Sequence, residues 1–322
     1  MAQKKRSAAG ALFICLNQPA AAIVLGKAEP MNQSGRSDVE SLILQHLLNW
    51  LVLGSIYTLV AIGFSLLFGL LNVIHFSHGD VSMIAPFVAL GSLQVLFGLA
   101  GSSAGILPIL AALVIAVLVT GLVGIGADRL VISRFRHSPA MMALVATVAL
   151  GTVVRELIRG FYPQGSNPKS FPAIVQGFVE FGGLRLPALP VLIVVSTVAI
   201  VVLMYLLMQN SPIGMRIRAV AEDGATARLM GITPARIFAF TFFLASAVGA
   251  LGALFFASYA GVVRFDFGVQ LGLIGFSAAV IGGLGSMGGA ILTGTAGAGA
   301  LAHALVNFFI FAGLAAGKGV TL

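Results

Sequence analysis

Charge is scarce in this chain, and the places where it is missing limit what the chain can be. Asp, Glu, Lys and Arg together make up 9% of the 322 residues, about a third of the usual share. From Leu42 to Gly126 the only formal charge is Asp80, and from Phe267 to Gly317 there is none. Such stretches suit segment after segment of about 20 residues in hydrocarbon and exclude a water-soluble globule. They are too long and too continuous for barrel strands of alternating polarity, which favours a helical bundle. Cysteine is nearly absent as well. Cys15 stands alone, so an intrachain disulfide, a thiolate metal cluster and paired redox chemistry are excluded. A phosphate-binding loop is also missing. Lys318 in "AGLAAGKGV" lacks both the first glycine at the required spacing and the following Ser or Thr. Ionisable residues inside the apolar segments reduce to Asp80, Arg155 and Glu156, too few for an obvious ion-coupling relay. The chain is therefore driven by a partner or is passive.

What is present fits an all-α, polytopic transmembrane helical bundle with broken helices. Hydrophobic residues reach 59% and glycine 40 copies. About eight spans are expected, near 43–70, 80–99, 104–126, 140–158, 187–208, 236–258, 270–284 and 289–312. Arginines collect at 129, 134 and 136 and again at 216, 218, 228 and 236. Two spans separate these loops, so both face one side, and the arginine excess makes that side cytoplasmic. The net charge of +8 lies in such loops and gives no reason to expect nucleic acid. Counting back puts the N-terminus outside, against Lys4, Lys5 and Arg6. Residues 1–41 are thus expected to be an extension, with translation from Met31 preferred over a secretory signal, and 42–322 the membrane domain. Surrounding lipid is the bundle's solvent.

Glycine also explains how such helices associate, since small residues let backbones approach closely where burial in lipid gains little. Most of the glycines read as packing. Gly282, Gly283, Gly285 and Gly288 cluster between apolar runs and predict a turn or broken helix. A short echo, Ile-Gly-Phe-Ser at 62–65 and again at 274–277, precedes a polar break in each case.

The first such break is "LLNVIHFSHGDVSMIA", residues 70–85. His75, His78 and Asp80 could be read as metal ligands, but H-x-x-H with one carboxylate is a weak signal. Ser77-x-x-Asp80 has capping-box spacing and predicts a helix start. Arg155 and Glu156 read as an interfacial pair at the outer end of a helix. In the loop 209–236, Ser211-Pro212 and Thr233-Pro234 read as N-cap and first helical residue. A short helix between them is expected to open with Glu222 and Asp223, carry Arg228 toward its end and stop at Gly231.

At this loop the sequence resembles a known family. "AEDGATARLMGI" looks like the segment by which permease subunits of ABC importers contact their ATPase, with Glu222, Asp223, Ala227 and Gly231 in order. "RAVAEDGATARLMGITPARIFAFTFFLASAVGALGALFF" followed by "FSAAVIGGLGSMGGAILTG" is similar to the branched-chain amino acid permeases. The family typically reads I-N-F-A-H-G-E where this chain has Ile74 to Asp80, with His75 in place of asparagine and Asp80 in place of glutamate. It also continues through one more span beyond the point where "AAGKGVTL" ends this chain. The resemblance implies a non-enzymatic transporter subunit without catalytic or metal-binding residues, in a bacterial cytoplasmic membrane. It implies four partners: a second homologous permease, two ATPase subunits and a periplasmic substrate-binding protein. It implies no cofactor in this chain, with ATP and magnesium on the ATPases. Asn72, His75, Ser77, His78 and Asp80 are expected beside the translocation path. Permeases for urea and short amides look similar, and a passive channel for small neutral solutes is the reading from another class.

Overall fold

A computed structural model describes residues 33–100, 107–136, 138–175, 177–181 and 184–283. The chain divides between Leu47 and Leu48. Of the first unit, the described part is helix, the start of α1 (Gln33–Leu71). All other elements belong to the second unit.

Long apolar stretches without internal polar breaks become helices, because in hydrocarbon every backbone N–H and C=O needs a partner within its own segment. After α1 come a one-turn helix α2 (His78–Ser82), α3 (Ile84–Ala100) and α4 (Leu107–Ala127). A π-helical turn, Asp128–Ile132, and the short α5 (Ser133–Phe135) prolong α4. The turn buries Asp128, whose carboxylate accepts from Arg136, and the Arg136 guanidinium lies 3.7 Å over the Phe238 ring. Helix α6 (Ala140–Phe161) ends in the loop expected to lie outside, called here the external loop. That loop carries β1 (Lys169–Ser170) and a hairpin of β2 (Phe178–Phe181) and β3 (Leu184–Pro187). Helix α7 (Ala188–Asn210) leads to a pair of short helices, α8 (Pro212–Glu222) and α9 (Gly224–Leu229), on the side expected to be cytoplasmic. Then follow α10 (Pro234–Ala260), β4 (Val262–Val263) and α11 (Phe267–Ile281).

Among the described residues six helices are long and apolar enough to cross a membrane, and α11 is a shorter apolar one. These seven segments match the first seven expected spans. The eighth, 289–312, lies outside the described residues, as do Gly285 and Gly288. Gly282 caps α11, and Gly283 follows with φ +89°, a left-handed turn that suits glycine.

Helix α1 is the buried centre, α10 is next, and α6 and α7 show most of their surface. Val52, Ile56, Leu59 and Val60 of α1 join Phe242 and Leu254 of α10 and Leu271 of α11 in one core. Small residues make the approach possible: a side chain at Gly252 would meet Val60 and Leu59, and one at Gly275 would meet Val60. Outside, β1 pairs antiparallel with β4, Lys169 opposite Val263 and Ser170 opposite Val262. The Phe171 N–H donates to the Gly261 carbonyl at 3.0 Å and the Ile174 N–H to Ser258 Oγ at 2.9 Å, which fastens the external loop to the outer end of α10.

Candidate functional site

The first break begins where α1 stops. Asn72 adopts φ +55° and returns its N–H to the Phe68 carbonyl at 2.8 Å; asparagine tolerates this left-handed geometry better than most residues. Residues 73–77 are irregular before α2 starts, and the Phe76 N–H reaches Thr147 Oγ1 of α6 at 3.3 Å. Irregular backbone within a membrane bundle survives only where protein or water surrounds it, and here protein does. His75, Ser77, His78 and Asp80 are buried, whereas Asn72 is exposed.

Glycines on four helices make room for α2. The His78 ring lies between Gly63 of α1 and Gly249 of α10, where a Cβ at either position would strike it. Its ring stands edge-on to Phe64 at 4.9 Å. A Cβ on Gly79 would run into the backbone of Gly268 and Gly272 in α11. The Asp80 carboxylate fits between Gly151 of α6 and Gly268, with Arg155 Nη1 at 3.5 Å from Oδ1. Apart from this ion pair, Asp80 Oδ1 has no hydrogen-bond partner.

Two expectations are corrected here. The Ser77-x-x-Asp80 capping box does not form: α2 has no side-chain cap, and Ser77 Oγ lies 3.0 Å from His75 Nε2 instead. Asp80 is taken by Arg155, because a guanidinium attracts a buried carboxylate more strongly than neutral amides do. Arg155 and Glu156 do not act as a pair, since neighbouring residues on a helix point about 100° apart. Arg155 turns inward to Asp80 and Thr152, while Glu156 pairs with Arg159 at 2.8 Å. Among the described residues no three His, Cys, Asp or Glu side chains gather into a metal-binding group. Gly63, Gly151, Gly249 and Gly268 were not singled out by the sequence. Only Gly63 carried a signal, through the Ile-Gly-Phe-Ser echo.

The α8–α9 pair has its expected form except at Glu222: one helix starts after Ser211, and a second follows Asp223, carries Arg228 in its last turn and ends before Gly231. Glu222 ends α8 and Asp223 caps α9, accepting from the Ala225 N–H at 2.8 Å and from the Thr226 hydroxyl. These bonds hold the Asp223 carboxyl below its ordinary range, the Thr226 hydroxyl first and the Ala225 and Thr226 amides after it. Aspartate is a strong N-cap, which is why α9 starts after Asp223 and Glu222 is left as the last residue of α8. Ser211 Oγ does accept from the Gly214 N–H at 3.1 Å, as its Ser-Pro signature predicts. Thr233 occupies the N-cap of α10 without a side-chain bond. Gly231, at φ +80°, ends α9: its N–H donates to the Arg228 carbonyl at 3.1 Å and the Ile232 N–H to the Ala227 carbonyl at 3.1 Å. That is a Schellman motif. Ala227 is buried with Val220, Ile217 and Ile237, so the pair packs as a unit onto the start of α10.

Between this pair and the break lies a cavity of about 530 Å³. His75, Thr147, Arg136 and Arg228 are among the residues that line it.

A buried, glycine-cradled break and a capped helix pair on one polytopic bundle are the features against which known proteins can be compared. Residues 46–312 match the family model described as the permease component of branched-chain amino acid transport systems. The chain belongs to this family. The matched range contains the break, the glycine cradle and the α8–α9 pair. The high-affinity branched-chain amino acid transport system permease protein BraD of Pseudomonas aeruginosa is 31% identical over 256 residues, covering 78% of this chain and 82% of that one. The protein of the same description named LivH, from Escherichia coli K12, is 28% identical with the same coverage. A probable branched-chain amino acid transport permease LivH of Methanocaldococcus jannaschii is 25% identical over 255 residues, 76% of this chain and 75% of that one. No solved structure matches. The chain is a multi-pass membrane protein of the transport permease class.

Proposed function

We propose that this chain is the membrane-spanning subunit of an ABC importer that moves branched-chain amino acids across a bacterial cytoplasmic membrane. The observation that carries the reading is the α8–α9 pair. Two short helices, each with a side-chain N-cap and the second closed by a left-handed glycine, form a stiff knob on the side rich in arginine. A passive channel has no need of such a knob. An ATPase subunit closing on ATP would push it, and its packing through Ala227, Val220 and Ile237 would pass the displacement to α10 and the break. Glu222, Asp223, Ala227 and Gly231 are the residues assigned to this contact. His75, Ser77, His78 and Asp80 hold the break in place beside the path, and Asn72, exposed at its entry, faces the path directly. The working assembly adds a second permease of the same kind, two ATPase subunits that carry ATP and magnesium, and a periplasmic binding protein. The test is uptake by the whole assembly in proteoliposomes. Leucine, isoleucine and valine should enter only with ATP and binding protein. Uptake of urea in their place, or solute flux without ATP, would replace this reading.

A further inference from the structure

The cavity between the break and the cytoplasmic pair has a composition that specifies a ligand. Most of its wall is aliphatic or aromatic, including Leu70, Ile74, Val220 and Phe238. Two guanidiniums line it, and no carboxylate does. Arg136 is already matched by Asp128 and stacked on Phe238. Arg228 has no ion pair among the described residues, so the cavity keeps one unmatched positive charge, carried on α9. Leu70 and Leu71, also in the cavity lining, belong to the last turn of α1, and Leu70 packs with Ala227 beside Arg228. Of that turn's carbonyls, Phe68 accepts the Asn72 N–H, and those that follow have no donor within the helix. A helix C-terminus with free carbonyls attracts a cation. The cavity therefore offers a cation for an anionic group, the end of α1 nearby for a cationic group, and apolar residues for a side chain. Its volume lies within the range of small-molecule sites.

We infer that this cavity is a binding site, on the arginine-rich side of the membrane, for a small zwitterionic amino acid with an apolar side chain. The carboxylate meets Arg228, the ammonium meets the end of α1, and the side chain lies on the apolar wall. This rests on the transport reading and adds to it: because Arg228 rides on α9, the helix pushed by the ATPase also holds the leaving substrate. Displacement of α9 then withdraws the charge that retains it.

The test uses the whole assembly in nanodiscs. The chain carries Cys15→Ser, so that an introduced thiol is its only one, with Ala143→Cys or Ala225→Cys in the cavity wall. Maleimide labelling of this chain is followed by mass. Leucine at ten times its dissociation constant should slow labelling about tenfold. The analogues 3-methylbutylamine and 4-methylpentanoate, which each lack one charge, should protect at least about tenfold more weakly on the concentration axis. Arg228→Gln should remove the protection by leucine while leaving the unprotected labelling rate in place. Two labelled positions guard against one variant failing to assemble. ATP-driven leucine uptake by the parent assembly is measured alongside. Its absence would strike the transport reading itself. Uptake without protection would overturn the site alone, as would equal protection by 4-methylpentanoate or inorganic phosphate, which would mark a general anion site.

Discussion

Removing Arg155 isolates a buried carboxylate, and the structure says how much that should matter. At 3.5 Å the Arg155–Asp80 pair is worth roughly 5 kcal/mol of gross Coulomb attraction at an effective dielectric of about 20. Desolvation offsets much of this, so the pair as a whole stabilises little against an apolar replacement. The asymmetry lies in breaking it. The Asp80 side chain is 7% exposed and held between two glycines, so it has no route to water once Arg155 is gone. Arg155→Gln should therefore destabilise by about 3–5 kcal/mol, the usual result of stranding a buried charge. The Arg155 side chain is 23% exposed and keeps its bond to Thr152, so Asp80→Asn should cost only about 1 kcal/mol. The double variant should recover most of the loss. With an unfolding entropy of about 2.1 cal/mol/K per residue, 3–5 kcal/mol lowers Tm by about 4–7 °C in a chain of 322 residues. Thermal unfolding of the purified protein in detergent, followed by size-exclusion fluorescence, reads that shift. If Arg155→Gln and the double variant lose the same amount, the two residues are not coupled and the reasoning fails.

Other perturbations are expected to act through the cradle and the cytoplasmic pair. Gly249→Ala drives a methyl group into the His78 ring and Ser82, and should cost about 1–3 kcal/mol by overpacking, seen in the same thermal assay; an unchanged Tm would mean that α2 can shift freely. Gly231→Ala forces a side chain into left-handed backbone at a cost of about 1–2 kcal/mol. It should lower ATPase stimulation by loaded binding protein in proportion to the uptake lost, whereas full stimulation would detach α9 from coupling. Asp223 titrates below its ordinary range, so the cap it provides is complete above the unfolded carboxylate value near 4 and fades as pH falls through the lower folded value. Coupling should show no contribution from this group between pH 8 and 5, and Asp223→Asn, which still accepts from the Ala225 amide, should leave that plateau in place.

The bundle itself was legible because the absence of charge over long stretches has one physical meaning. Span limits came within a few residues, since apolar length and turn chemistry set them. Ser211-Pro212 and Gly231 were equally readable, because a cap or a left-handed glycine is decided by its nearest neighbours. Asp80 was misread for the opposite reason. Its spacing from Ser77 satisfied a local rule, but Arg155, far along the chain, offered a stronger partner that no local pattern reveals. The cradle stayed hidden likewise: with 40 glycines in the chain, nothing in the sequence marks Gly151 or Gly249 as those that face a buried side chain. The start of α9 at Asp223 was readable on the same ground as the Ser211 cap, and only Glu222, which ends α8, fell on the other side of that boundary.

Helix α10 has a mechanical consequence. Its 27 residues form one uninterrupted rod about 40 Å long, and both ends are clamped. Outside, Ser258 and Gly261 hold the external loop; inside, Ile237 is packed beneath the cytoplasmic pair. A rod gripped at both ends is a push-rod. In the proposed importer, a docking protein that shifted the loop at one end would move the other, and a pull from the ATPase would reach the mouth. The arrival of cargo outside and the spending of ATP inside can then be timed against each other by one stiff part, with no relay of small rearrangements through the membrane between them.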